Sequence, residues 1–545
     1  MKKTLKKFVA LFCALTTCLP FVACGDKGGG GATSEQKIDK TKAQLYVSNF
    51  DGGVGHNWLD AHIKRFEQDY AETEFIPGTK GVQVWVTNHK SGMVSIGSKL
   101  KNAKEDVYFL EKVNYHDAIA QGYFLDITDL VTEPMTEFGE TGTIEDKLYD
   151  SQKEYYKTNG KYYGLPHAQS PTLLTYDEDL FNRNGFFFGE DGELGKKSTD
   201  SGLSKGVDNV AGTYDDGLPA TYDQFFKLCT AMTRRGIAPI IWSGMYEWYT
   251  TRFAKQLRAD FDGDEAMTAY DFDGVMTHIV DTIDENGNIT YKAPVTITEE
   301  NGYEAFHSAS YYYSFKFLEE IYKKGYYSDK SFNENVSHSD AQTYFLLSSF
   351  TSEQDIGMLV EGLYWVNEAK PSFDKMSSYQ GSSLQERNLK VMPLPKATAE
   401  QVGEKTTIVD SLNQLAFISA YVSEEKKELA KTFLQYCTTQ ASLEEFLVQT
   451  GLTRNFKVNY DGIYDTLCPY SQSVVDMLGA SNYIMPASNS VVFQKNYDAF
   501  YASYEMGTTQ YAEPINAIAA KKSAYTFFNE FRNKYDANSW KLLLN

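Results

Sequence analysis

An α/β chain of more than one unit, with mostly parallel sheets flanked by helices, is what the sequence predicts on three observations. Between residues 44 and 122, short apolar strands alternate with amphipathic helices through short loops, the pattern of a parallel sheet with crossover helices. Residues 160–181 are too short, aromatic and proline-broken for a helix. Pro166 and Pro171 hold Leu165 and Ser170 extended, and residues 172–176 are strand formers, so the chain there leaves one unit and enters a strand of another. The length, 545 residues, suffices for two or more domains.

The chain opens with Lys2, Lys3, Lys6 and Lys7 and an apolar run over residues 8–19, the charged and apolar regions of an export signal. Small Ala23 before Cys24 resembles the lipobox of bacterial lipoproteins, which implies a signal peptide over residues 1–23 and lipidation at Cys24. The glycine-rich stretch that follows makes residues 24–41 a tether able to hold a domain off a membrane. An ordinary cleaved signal with an incidental cysteine leaves that tether unexplained. No other stretch approaches the ~18 apolar residues that span a bilayer.

The formal charge is −21, and removing the four signal lysines takes it to about −25. Such a polyanion repels nucleic acid and anionic headgroups, so neither is expected as a partner. Of six cysteines, Cys13 and Cys18 lie in the signal. Cys229, Cys437 and Cys468 have no motif spacing and read as buried thiols, with one pair possible.

In the first lobe the spacing predicts strands over 44–47, 82–86 and 106–110 and helices over 57–70, 94–100 and 115–121. The loop 49–57 is glycine-rich but lacks both the P-loop Lys-Ser/Thr and the dinucleotide spacing. It reads instead as a close-approach loop at the carboxyl edge of a sheet, where ligands of open α/β sheets bind. Trp58 and Trp85 fall within regular elements and read as core.

Residues 184–218, rich in Gly, Asp and Ser, read as an insertion. A capping box at Thr221–Gln224 opens a helix through Met232, and residues 236–242 form a strand ending in a polar, aromatic turn, 243–248. The stretches 260–264 and 284–288 resemble calcium-loop fragments without completing the pattern, and both read as solvated turns, the second a hairpin. Residues 311–322 are helical, ending in a basic turn and Gly325. Residues 356–362 read as a buried strand, and helices follow over 423–438 and from a second capping box, Ser442–Glu445, to Gly451.

Tyr163-Gly-Leu-Pro166 with Leu174-x-Tyr-Asp-x-Asp-Leu-Phe181 resembles the first interlobe crossover of extracellular sugar-binding proteins, the receptor subunits of carbohydrate ABC importers, to which maltose-binding protein belongs. Ile356 to Trp365, Val391-Met-Pro-Leu-Pro395, Val409 to Asn413 and Ile484-Met-Pro486 continue the resemblance in order, from about residue 42 to 530. It implies a two-lobed, periplasmic-binding-protein-like α/β fold joined by three crossover segments at 160–181, 356–365 and 409–413. Lobe 1 is then 42–168 and 364–409, and lobe 2 is 169–363 and 410–545. It also implies a monomeric receptor, lipid-anchored on the extracytoplasmic face, that binds a carbohydrate by cleft closure and hands it to membrane permease subunits. Neither cofactor nor metal is expected.

A secreted polysaccharide hydrolase with a carboxylate pair in the cleft is the competing reading. The chain has no Gly-x-Ser-x-Gly, no His-Glu-x-x-His and no Cys/His cluster, and abundance alone makes no carboxylate catalytic. A helical glycan-binding lipoprotein would need paired helices, against the β-α alternation seen. The candidate ligand-binding residues come from loops the crossings bring to the interface. Asp51, His56 and Asn57 lie on the first loop, and Glu111 and Asn114 after the third strand. His167, Gln169 and Ser170 lie on the first crossover, and Trp242, Tyr246, Glu247 and Trp248 in the second lobe. Glu361, Tyr364 and Trp365 lie on the second crossover, and Asp410 and Asn413 on the third. Carboxylates and amides match paired hydroxyls, and flat rings match the C–H faces of sugars. Trp365 is expected to be a stacking platform.

Overall fold

The strand Ala43–Phe50 buries Leu45 and Val47 on one face, and the pattern of alternate burial seats it in the middle of a sheet. Its neighbours, Val82–His89 and Val107–Glu111, pair with it in parallel, as the intervening helix Asn57–Asp69 requires. That helix buries Trp58, Leu59, His62 and Phe66 and packs against a second helix, Gln440–Thr450. The computed structural model describes residues 37–89, 100–168, 171–410, 414–497, 500 and 506–545. The signal, Cys24, most of the tether and nearly all of the expected helix 94–100 lie outside the described residues. Contacts separate residues 1–39 from residues 40–545, and everything below concerns the latter.

Two sheets organise those residues. The first has the strand order Val82–His89, Ala43–Phe50, Val107–Glu111, Gln414–Ile418, Leu165–Pro166. The second runs Ala238–Ile241, Ile356–Gly362, Thr172–Asp177, Leu389–Met392. Each is parallel save for one reversed strand, Gln414–Ile418 in the first and Thr172–Asp177 in the second. Each reversed strand comes shortly after an element of the other lobe, Leu165–Pro166 before Thr172–Asp177 and Thr407–Val409 before Gln414–Ile418, with too few residues between for a crossover helix. A strand entered without a crossover helix is free to lie antiparallel.

Two expectations about connectivity are corrected. Leu389–Met392 pairs with Thr172–Asp177 in the second sheet, while Gln414–Ile418 pairs with Val107–Glu111 in the first, so lobe 1 does not take residues 364–409. Nor is 356–365 a crossing: Trp365 drops into the core of lobe 2 among Phe345, Phe373 and Tyr470. The third passage instead joins helix Gln440–Thr450, packed on lobe 1, to helix Pro469–Ala480, packed on the second sheet.

Local readings fare unevenly. Thr221 caps Tyr222–Arg234 as expected, but Thr439, not Ser442, caps Gln440–Thr450. Residues 284–288 close a hairpin around Asp284, which accepts from the backbone N–H groups of Asn286 and Asn288. Residues 260–264 are no solvated turn: Asp260 is buried against Lys396 at 2.8 Å, and Asp262 accepts from Ser308 and Ser310. Cys229, Cys437 and Cys468 are all free thiols, the first two buried.

Candidate functional site

The carboxyl ends of Ala43–Phe50 and Ile356–Gly362 lead into segments that meet at one interface. After Ala43–Phe50 the chain turns through Gly53, whose φ of +62° suits glycine. A Cβ there would sit 3.3 Å from the ring of Tyr364 in the other lobe, so a side chain would crowd that approach. Asn367 Nδ2 donates to Gly53 O at 2.8 Å, and the Gly53 N–H donates to Glu368 Oε1 at 3.2 Å. Beside this contact a cavity of about 440 Å³ is lined by Asp51, His56, Asn57, His338, Glu368 and Lys370 among others. Asp51 Oδ1 lies 2.8 Å from His56 Nδ1 and fixes the loop.

Glu361 ends the strand Ile356–Gly362 and is buried. It accepts from the Gly362 N–H at 3.0 Å and, at 3.4 Å, from Gln342 Nε2, which also donates to Glu368 at 3.2 Å. Burial, reinforced by the Glu368 charge, holds the Glu361 carboxyl above the usual range. Burial does the same for Glu368. Tyr249 Oη meets Tyr364 Oη at 3.5 Å, and the Tyr249 ring stacks on half-buried Trp248 at 4.0 Å. The Arg252 guanidinium lies 3.9 Å from the Trp248 ring centroid. From lobe 1, Glu111 faces this group: burial raises its pKa, while the charges of Lys112 and Arg252 pull it down. Tyr246 packs between Trp248 and His338, and Glu247 accepts from Asn516 Nδ2 at 2.9 Å. Carboxylates accept, Arg252 donates, and part of Trp248 offers a flat apolar surface. Among the described residues no group of three or more His, Cys, Asp or Glu is placed to hold a metal.

Thus Asp51, His56, Asn57, Glu111, Tyr246, Glu247, Trp248, Glu361 and Tyr364 lie at or beside the interface. Others do not. Trp365 is fully buried, its indole N–H donating to Thr175 Oγ1 at 3.0 Å, and is core of lobe 2. Trp242 is core too, against Tyr327 and Phe332. His167 is buried beside Trp58 and Phe109 and takes a bond from Arg454 at 2.8 Å; burial and the Arg454 charge hold it neutral. Asn114 caps the helix Tyr115–Ala120. Asp410 is buried where the chain passes between lobes, accepting from Tyr483 Oη at 2.5 Å and Asn455 at 3.1 Å. Gln169, Ser170 and Asn413 lie outside the described residues. Trp85, expected in the core, is half-buried on an edge strand and donates to Gln44.

Sequence reasoning missed Gly53, Gln342, Asn367, Glu368, Tyr249 and Arg252. Two of these carry a local signal. Arg252 stands four residues after Trp248 in one helix, which puts both side chains on one face. Glu368 lies one turn beyond Trp365 and just past the glycine turn that follows Glu361.

Solved structures similar to this chain include the following two. A chitin oligosaccharide binding protein superposes with a TM-score of 0.53 at 15% identity, covering 92% of this chain and 99% of that one. The apo form of RafE from Streptococcus pneumoniae gives 0.54 at 13% identity, covering 92% and 100%. At these identities they establish the two-lobed fold. No curated protein matches the sequence significantly. The profile of the bacterial extracellular solute-binding proteins matches residues 53–443, most of the chain, and this protein belongs to that family.

Proposed function

We propose that this protein is a receptor that binds a sugar or oligosaccharide between its lobes, without chemistry on it, and delivers it to the permease subunits of an ABC importer. The observation that carries the reading is the meeting of Glu111 and the 51–57 loop with Tyr364, Glu361, Glu368 and Trp248 across the interface. Such an arrangement supplies acceptors for paired hydroxyls and rings for C–H faces. One of the two similar structures is titled a chitin oligosaccharide binding protein, which supports the reading. The receptor is lipid-anchored at Cys24, outside the cell membrane, and acts as a monomer.

Native mass spectrometry of the purified protein and calorimetric titration with neutral oligosaccharides test the reading. One glycan should bind and be recovered unchanged. Product appearing over hours, and abolished by Glu111→Gln or Glu361→Gln, would transfer the case to a hydrolase. Tyr364→Ala removes a ring at the centre of the interface and should cost ~2–4 kcal/mol of binding, as buried aromatic anchors do. That is roughly thirtyfold to a thousandfold in Kd by titration. Cys24→Ala should abolish membrane retention, since stable attachment needs more than one acyl chain's worth of anchoring. A wild-type mass equal to the bare polypeptide would refute the anchor.

A further inference from the structure

We propose that Glu361, Gln342 and Glu368 form a proton-holding latch that draws the lobes together through Gly53. One amide serves two carboxylates: Gln342 Nε2 lies 3.4 Å from Glu361 Oε2 and 3.2 Å from Glu368 Oε2. Gln342 is itself fully buried and its Oε1 has no hydrogen-bond partner among the described residues, so the group has more acceptors than donors. A proton on either carboxyl supplies the missing donor. Among the described residues neither carboxylate has a lysine or arginine within ion-pair distance; His338 Nε2, 3.9 Å from Glu368, is the nearest basic group.

The latch reaches the other lobe directly. Glu368 takes the Gly53 N–H, and Asn367 in the same turn of helix donates to Gly53 O. The remaining groups facing it are Glu111 from lobe 1, whose charge disfavours a second carboxylate, Tyr249, whose hydroxyl bonds to Glu361, and Tyr364, whose hydroxyl meets that of Tyr249. Arg252 acts on Glu111 and Tyr364, and Asp51, His56 and Lys370 line the cavity into which Glu368 opens. Separating the lobes gives Glu368 to water and frees Gly53. Joined lobes therefore bind the proton more tightly than separated ones. Burial raises both carboxyls from an ordinary 4.5, so closure is favoured in mild acid and weakens as pH rises through the raised values. For one linked proton the closing equilibrium shifts by up to about tenfold per pH unit.

The consequence for ligand affinity rests on the receptor reading; the latch itself does not, so it is tested with no sugar present. Fluorophores on Gln68→Cys and Asp223→Cys, exposed positions of the two lobes, report the interlobe distance in the mature protein from pH 5 to pH 9. The short-distance population should fall with rising pH. In the double variant Glu361→Gln/Glu368→Gln, whose amides imitate the protonated acids, it should not change. Asn367→Ala, which leaves both carboxylates in place, should lower that population at every pH and serves if the double variant fails to fold. A wild-type distance that ignores pH overturns the latch. So does a double variant that keeps the wild-type pH response, or an Asn367→Ala protein indistinguishable from wild type.

Discussion

Trp365→Ala is expected to lower folding stability by about 3–5 kcal/mol, the range for deleting a large buried aromatic side chain. The indole is fully buried among Phe345, Phe373 and Tyr470, all packed within lobe 2, so truncation leaves a cavity that several rigid rings cannot fill. It also strips Thr175 Oγ1 of the indole N–H at 3.0 Å. Urea denaturation should show the loss, while calorimetry on the folded fraction should show sugar affinity near that of wild type. A normal midpoint with a large affinity loss would return Trp365 to the ligand.

Arg387→Met should cost about 3–5 kcal/mol, because breaking a buried ion pair from one side strands the other charge. Arg387 Nη2 reaches Asp177 Oδ2 at 2.5 Å and Nη1 donates to Leu346 O at 2.9 Å, with both charged side chains almost wholly buried. Asp177 does double duty. Its Oδ1 accepts from the Leu180 N–H at 2.9 Å to cap helix Glu178–Asn184, and its Oδ2 also takes the Ser349 hydroxyl at 3.0 Å. The damage therefore falls where the chain enters lobe 2. A thermal melt measures the loss, and Asp177→Asn in the same chain should restore part of it by removing the stranded charge. Equal loss in single and double variants would place the cost in packing, such as that of the guanidinium on Phe350, rather than in charge.

The candidate site was legible where a residue's environment follows from its own element. Asp51, His56 and Asn57 follow the first strand, so the carboxyl-edge rule places them at the interface. Trp248 opens a helix and Glu361 stands at the end of a buried strand. Gly53 and Glu368 were not legible as a pair, because 315 residues separate two groups that share one hydrogen bond. The two tryptophans show the same division. Trp365 and Trp248 each follow a strand and a glycine-containing turn, yet one is fully buried and the other half-exposed. Neighbours distant in sequence, Phe345 and Tyr470, enclose Trp365, whereas Trp248 is covered on one side by Arg252 of its own helix.

From the sequence alone come the β-α alternation of lobe 1, the proline-held passage before Thr172–Asp177 and the capping of Tyr222–Arg234 by Thr221, together with the motifs that carry the family resemblance. All are short-range properties, set by side-chain periodicity, by φ restriction at proline and by a hydroxyl three residues from its N–H partner. Tertiary structure alone decided which sheet receives Leu389–Met392 and which receives Gln414–Ile418. Both strands are mostly apolar and mostly buried, so burial alone does not assign either to one sheet. Only edge complementarity and the path of the connecting chain choose between them. The same holds for the interface chemistry: Gln342 sits between two acids because helix His338–Ser348 packs on strand Ile356–Gly362, a contact with no local sequence signal.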